Sequence, residues 1–442
     1  METDQSNVAC LGNYANFLEK VRVDHEAAET LYKRALEADP KETAILGNYA
    51  TFLTDVRGDH DGAEALYKRA LEVAPKNAAN LGNYASFLTS VRGDHDGAEA
   101  LYKRALEVEP NEGTTLGNYA SFLTSVRGDH DGAEALYKRA LEAAPEEATI
   151  LGNYANFLAG IRKSNDGAEA LYKQGLKANP KNANCLGDYA NFLTDIRENH
   201  DGAEVLYKEA LEADPEQAAV LGNYASFLTE ARGDHNSAEV LYKRALEVDP
   251  EQATILGNYA NFLTGVRGDH NSAEMLYKRA LEVEPEDADV LSRYASFLVD
   301  VRKDYSRADE FYRKAIGIDP KDANCLGNYA KLLFVLDRLE DATAILSNAW
   351  EQELDQEALL CELHFYACAH AWQRWPGSLA SLKALLQAGA NSKGWPLQEN
   401  VSVATRRGHP APEFLAALAL VVSGEALVET LDKFPAWQIA RF

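Results

Sequence analysis

Basic residues are scarce in this chain of 442 residues, in which 44 lysines and arginines face 69 aspartates and glutamates, a formal net charge of −25. A surface with this excess of negative charge repels nucleic acid and anionic membranes. The composition therefore predicts no nucleic acid and no membrane among the partners, and it favours targets with a neutral or basic surface.

Long apolar runs are also lacking. The longest, near Phe414 to Val422, is too short to span a bilayer, and no basic segment followed by an apolar one has the form of a secretory leader. Only five cysteines are present, which suits a reducing compartment. Cys10, Cys185 and Cys325 occupy one position of the repeat described below, several units apart and beyond disulfide reach. We predict a cytoplasmic protein in which these thiols are packing residues.

One repeated unit fills most of the chain. Its units follow one another at a spacing of 35 residues and start near Leu11, Leu46, Leu81, Leu116, Leu151, Leu186, Leu221, Leu256, Leu291 and Leu326. A unit this short cannot bury its own apolar face and must stack on its neighbours. The period therefore predicts a stacked array over residues 1–350.

Each unit has the sequence pattern of two helices. In the third unit, apolar residues recur at helical spacing in both halves. Gly93 is placed to end the first helix in a left-handed cap, and Asp96 with Glu99 has the spacing of a capping box that starts the second helix. Pro110 ends the second helix. Each unit is thus predicted to be a helical hairpin.

The pattern resembles the tetratricopeptide repeat, with one extra residue in the turn between the helices. The matching residues of the third unit are Leu81, Tyr84, Ala85, Leu88, Ala98, Tyr102, Ala105 and Pro110. This resemblance implies an all-α, right-handed superhelical solenoid of about ten helical hairpins, whose first helices line a concave groove. Half-a-tetratricopeptide repeats of RNA-processing scaffolds share part of the pattern, and pentatricopeptide repeats, which bind single-stranded RNA, share the period. The acidic composition argues against RNA binding.

A row of asparagines on the first helices is the candidate partner-binding site. It consists of Asn13, Asn48, Asn83, Asn118, Asn153, Asn223, Asn258 and Asn328, with Asp188 and Arg293 at the same position in the other two units. One turn further on, Asn156, Asn191 and Asn261 extend the site. Some tetratricopeptide proteins grip an extended peptide by its backbone with such a ladder, because a carboxamide both donates and accepts hydrogen bonds. The alternative is that the asparagines join neighbouring repeats.

Glycine stands mid-helix in nine of the ten units, although it costs a helix roughly 0.5–1 kcal/mol relative to alanine. Either close packing between helices or the close approach of a ligand would offset this cost. Two carboxylates late in the first helices, Asp55 and Asp195, complete the candidate site and favour a partner segment with some basic residues.

Other repeated residues are read as structural. An arginine at the end of the first helix, such as Arg127, is predicted to complement the helix dipole and to lean on the neighbouring unit. A histidine in the turn, such as His95, recurs one repeat away, too far to share a metal with its neighbour, and is predicted to pack. No metal and no cofactor are therefore predicted.

The last segment, 351–442, lacks the repeat and is predicted to be a helical cap or a second docking domain. Cys361, His364 and Cys368 lie there at helical spacing, and buried thiols explain them better than a metal does. No catalytic motif is present, so we predict a non-enzymatic adaptor that binds an extended segment of another protein in its groove. Alternatives are an inhibitor or immunity-type protein that wraps a folded partner, a secretion chaperone, an RNA-processing scaffold of the half-a-tetratricopeptide kind and a protein whose C-terminal segment is catalytic. The oligomeric state is left open.

Overall fold

The chain folds into consecutive helical hairpins. The computed structural model describes residues 5–22, 24–351 and residue 363, and this part of the chain contains helices and no strand. The prediction of an all-α solenoid of about ten hairpins is confirmed, whereas the predicted C-terminal segment lies outside the described residues except for 351 and 363. The α-helices are α1 (Gln5–Phe17), α2 (His25–Ala38), α3 (Thr43–Phe52), α4 (His60–Val73), α5 (Ala78–Phe87), α6 (His95–Val108), α7 (Gly113–Phe122), α8 (His130–Ala143), α9 (Ala148–Gly160), α10 (Asn165–Ala178), α11 (Ala183–Asp195), α12 (His200–Ala213), α13 (Ala218–Phe227), α14 (His235–Val248), α15 (Ala253–Phe262), α16 (His270–Val283), α17 (Ala288–Phe297), α18 (Tyr305–Ile318), α19 (Ala323–Val335) and α20 (Leu339–Glu351).

Contacts divide the chain into two compact units, Met1–Tyr224 and Ala225–Phe442. The first unit holds α1 to α12, and the second holds α14 to α20. The boundary falls within α13. The helices α7, α9 and α11, which carry part of the candidate site, belong to the first unit.

Seven of the first helices end in a π-helical turn, which takes more residues per turn than an α-helix. These turns are Leu18–Arg22, Leu53–Arg57, Leu88–Arg92, Leu123–Arg127, Leu228–Arg232, Leu263–Arg267 and Leu298–Arg302. Gly93 follows its turn at φ 65°, so the left-handed cap is confirmed. The units of α9 and α11 have the same spacing without a π-helical turn, so the repeat length does not depend on it.

The core of each repeat is built from small and aromatic side chains. In the third repeat Leu81, Ala98 and Tyr102 are buried. Tyr102 stacks on Tyr119 of the next repeat with ring centroids 5.3 Å apart, and it meets Phe122 at 5.7 Å. Such aromatic contacts join the second helix of one repeat to the first helix of the next, so within a compact unit each repeat shares its core with the repeat that follows.

The arginine at the end of the first helix contacts the preceding repeat, as predicted. Arg127 Nη2 lies 2.6 Å from Asp96 Oδ1, and Nε lies 2.8 Å from Glu99 Oε2. Its guanidinium lies over the Phe122 ring at 5.5 Å. This seam of one arginine, two acidic residues and one ring fixes the contact between adjacent hairpins, because a planar guanidinium bonds carboxylates and stacks on a ring at the same time.

The predicted capping box is wrong by two residues. The second helix of the third repeat begins at His95, and its N-cap is Asp94, whose Oδ1 accepts a hydrogen bond of 3.0 Å from the Gly97 N–H. Asp96, the predicted cap, pairs with Arg127 of the next repeat instead. The same correction holds for the fourth repeat, where the cap is Asp129.

The mid-helix glycines let neighbouring first helices pack closely. Where the neighbouring repeat fills the space beside a glycine, the alternative that this glycine lets a ligand approach is wrong. Gly187 is buried, and a Cβ added there would lie 2.9 Å from Val220 Cγ2 of the next repeat. At Gly82 the nearest atom would be Thr115 Oγ1, at 2.6 Å. Because real Cβ contacts are longer than 3 Å, a side chain at these positions would push the helices apart.

Candidate functional site

The asparagine row lies on the first helices with its side chains half-buried. This holds for Asn48, Asn83, Asn118, Asn153, Asn223, Asn258 and Asn328, whereas Asn13, on the first helix, is exposed. The carboxamides are therefore in contact with solvent and are not sealed between the hairpins. We call these eight residues, with Asp188 and Arg293, the amide row.

Two asparagines of the amide row bond to a neighbouring repeat. Asn118 Nδ2 donates to Ser86 Oγ at 3.4 Å, at the long end of hydrogen-bond distances. Asn258 Oδ1 accepts from Arg293 Nη1 at 2.5 Å. The alternative in which the asparagines join repeats is thus supported at these two positions.

The polar residues one turn further along the first helices hold a buried tyrosine of the same repeat. Ser86 Oγ and Tyr102 Oη are 3.0 Å apart, and the Tyr207 hydroxyl donates to Asn191 Oδ1 at 2.5 Å. The Tyr172 hydroxyl donates likewise to Asn156 Oδ1. Sequence reasoning missed this role, although a tyrosine stands 16 residues after each of these positions. Asn191 has this one structural bond, whereas Asn156 has a second one, because its Nδ2 donates to Asp188 Oδ2 of the next repeat; Asn261 is exposed.

A depression of about 340 Å³ opens on this surface between α7 and α9. Ser121 and Ser125 line one side, and Asn153, Asn156 and Ile161 line the other. The structure thus brings two predicted site residues, one from the amide row and one from the following turn, to the same concave place. Its walls offer amide and hydroxyl groups beside an apolar side chain, which suits a peptide unit with a neighbouring aliphatic group.

The predicted carboxylates differ in their surroundings. Asp195 is the last residue of α11, and most of its surface is exposed. The surrounding protein still keeps some water away from its carboxyl group, which raises the pKa above the usual value. Asp55 lies exposed on a π-helical turn. Glu19, at the same repeat position, accepts a hydrogen bond of 2.8 Å from the Tyr32 hydroxyl and so has a structural contact. The three acidic groups are therefore not equivalent.

The comparisons with known proteins identify the repeat. Two family models, both described as tetratricopeptide repeat, match the chain. One matches residues 57–114 and 302–360, and the other matches residues 22–79, 90–148, 125–183 and 266–323. The chain belongs to the tetratricopeptide repeat family. Membership supports a role as a protein–protein interaction scaffold in general, on a fold that is typically non-enzymatic. No curated protein matches the sequence.

Two solved structures are similar to this chain. A monomeric mutant of IFIT1 with the capped RNA m7Gppp-AAAA is 16% identical, with a TM-score of 0.51, and the match covers 78% of this chain and 90% of that one. Tom70 of yeast is 17% identical with a TM-score of 0.40, and the match covers 98% and 100% of the two chains. At these identities the likeness concerns the fold alone.

The recurrent histidine packs as predicted within this tetratricopeptide array. The His95 ring lies 6.4 Å from the Phe122 ring of the next repeat. Among the described residues no group of three or more His, Cys, Asp or Glu side chains is placed to hold a metal ion. None of the described helices has the length and apolar character needed to cross a bilayer. Cys361, His364 and Cys368 lie outside the described residues.

Proposed function

We propose that this protein is an adaptor whose first helices bind an extended segment of another protein. The observation that carries the proposal is the amide row, half-buried and in contact with solvent along successive first helices. A carboxamide pairs with a peptide unit whatever its side chain, so a row of them can bind an extended strand by its backbone.

The depression between α7 and α9 supports the same function. It joins Asn153 and Asn156 to the hydroxyls of Ser121 and Ser125 within about 340 Å³, which is room for a residue of a bound segment. The net charge of −25 favours a segment that carries basic residues and opposes RNA. Each repeat would add a small increment, and the sum over several repeats would set the affinity.

The test is a selection of 15-residue peptides from a random displayed library on the full chain, followed by binding measurements on the selected peptides. Replacing Asn118, Asn153 and Asn223 with alanine should weaken binding at least tenfold, because each lost backbone hydrogen bond is worth about 0.5–1.5 kcal/mol. The melting temperature should change little, since the one structural bond among them is the long contact of Asn118 with Ser86.

A control variant with three neutral polar residues outside the row replaced by alanine, Thr30, Gln174 and Gln252, should bind like the wild type. Unchanged peptide binding by the asparagine variant, together with a large fall in stability, would make the row structural. Retention of RNA by the full chain at moderate salt, with no peptide selected, would favour the RNA-scaffold alternative.

A further inference from the structure

Two members of the amide row, Asp188 and Arg293, carry a charge, and the contacts around the two charges differ. Arg293 is neutralised within its own helix, because its Nη2 lies 2.8 Å from Asp289 Oδ2 and its Nε donates to Asp289 Oδ1 at 2.9 Å. A third bond goes to Asn258. The charge at this position is therefore paired inside the chain.

Asp188, on α11, is not paired in this way. Its Oδ2 accepts a hydrogen bond of 2.9 Å from Asn156 Nδ2, and its negative charge helps to raise the pKa of the neighbouring Tyr172 hydroxyl and Cys185 thiol. No lysine or arginine of the described residues forms an ion pair with it. The next basic residue along the chain, Arg197, lies beyond the end of α11 and pairs with Asp166 and Glu169 of the preceding repeat.

The position of Asp188 makes this lack of a cation costly. The side chain is half-buried, and its Oδ2 lies against the preceding first helix, 3.9 Å from where a Cβ on Gly152 would be. A carboxylate that loses water without gaining a cation is destabilised. Burial accordingly raises the pKa of Asp188 above its usual value.

Asp188 is also linked to the depression. Asn156 lines that depression and donates to Asp188, while its own Oδ1 accepts from the Tyr172 hydroxyl. The tyrosine therefore fixes the amide so that its N–H points to the carboxylate. The carboxylate is held in one place beside the concave surface, as a group that selects a ligand must be.

We propose that Asp188 is a specificity-determining residue of the groove, whose carboxylate binds one lysine or arginine of the partner's extended segment. This proposal rests on the proposed groove function and deepens it. Amides that bind the backbone accept any sequence in any register, whereas one fixed carboxylate in a neutral row selects the register that places a basic side chain at α11.

The test uses the peptides selected on the full chain and measures their affinity by fluorescence anisotropy. The selected peptides should share a lysine or arginine at one aligned position. Asp188→Asn should weaken their binding about tenfold, and replacing that basic residue in the peptide with norleucine should weaken binding to the wild type by the same factor. The two changes together should lose no more than either one alone, because they remove one interaction.

The matched control is Asp214→Asn, which removes the same charge at the end of α12. Asp214 is exposed and accepts a hydrogen bond from the Glu216 N–H, which an asparagine can also accept. This control should bind within twofold of the wild type. Asp188→Asn restores the asparagine of the other units, so it should fold and melt no lower than the wild type.

Peptides that bind but share no basic residue, or a loss from the two changes that multiplies, would overturn the role of Asp188 and leave the groove function standing. If no peptide is selected at all, the groove function fails and the inference that rests on it fails too.

Discussion

The mid-helix glycines offer a test of the packing, because two of them differ only in what lies opposite. An alanine at Gly152 would place its Cβ 3.9 Å from Asp188 Oδ2 and 4.0 Å from Cys185 Sγ, which are ordinary contacts. Alanine is better than glycine in a helix interior by about 1 kcal/mol. Gly152→Ala should therefore raise the free energy of unfolding by about 1 kcal/mol.

At Gly187 the same gain is opposed by a clash. The new Cβ would lie 2.9 Å from Val220 Cγ2, and Val220 is 3% exposed. A valine in a helix has one strongly preferred rotamer and cannot turn away, so overpacking should cost about 1–3 kcal/mol. The free energy of unfolding of Gly187→Ala should then be about 1 kcal/mol below that of the wild type and roughly 2 kcal/mol below that of Gly152→Ala.

Urea denaturation of the full chain, read by circular dichroism, should place the Gly187→Ala midpoint below the wild type and the Gly152→Ala midpoint above it. Hydrogen exchange of peptides from α9 to α13 should show the same order locally. Equal or reversed stabilities would refute the reasoning that close contact between first helices explains the glycine. Weaker peptide binding by a stabilised Gly152→Ala would instead show that this glycine serves a ligand.

Three further predictions concern single side chains. Because burial raises the pKa of Asp188 in the fold, the loss of stability begins as the pH rises above the usual aspartate pKa of about 3.9 and is complete above the raised value. Asp188→Asn should therefore melt above the wild type at pH 7, with the difference vanishing as the pH falls below about 3.9. Asp94→Ala should lower the free energy of unfolding, measured by urea denaturation, by about 1 kcal/mol, because it removes the cap. Asp96→Ala should change that free energy little, because Asp96 is an exposed ion-pair partner, and the reverse order would restore the capping box at Asp96. Tyr102→Phe should also lose about 1 kcal/mol while peptide binding stays unchanged, and a fall in binding alone would mean that the hydroxyl serves the groove.

The hairpins could be predicted from sequence because their causes are local. Apolar spacing, a cap glycine such as Gly93 and a proline such as Pro110 act within a few residues of the chain. The error at Asp94 is also local in origin, since two aspartates flank His95 and the pattern does not say at which the helix begins. The cap, Asp94, and the ion-pair partner of Arg127 in the next repeat, Asp96, are only about half a helical turn apart.

The contact of the arginine with the neighbouring repeat could be predicted, but its acidic partners and the tyrosine bonds could not, because these partners are distant along the chain. Arg127 reaches Asp96 and Glu99 across 31 and 28 residues, and Tyr102 reaches Ser86 across 16. In the sequence, Ser86 is only one of several polar residues in the first helix of its unit. The hydroxyl of a buried tyrosine comes to this serine only when the second helix packs against the first.

Comparison of the units within this one chain separates structural positions from candidate recognition positions. The seam arginine stands in nine units, from Arg22 to Arg302, whereas the amide row changes charge at Asp188 and Arg293. A change of residue type between units at a solvent-facing position needs no functional explanation when it does not lower the stability of the fold. Arg293 fits that case because Asp289 pairs with it, but Asp188 is half-buried and lacks a cation among the described residues. A residue that costs stability, at a position where the other units show asparagine to be accepted, is explained when its charge is used in binding.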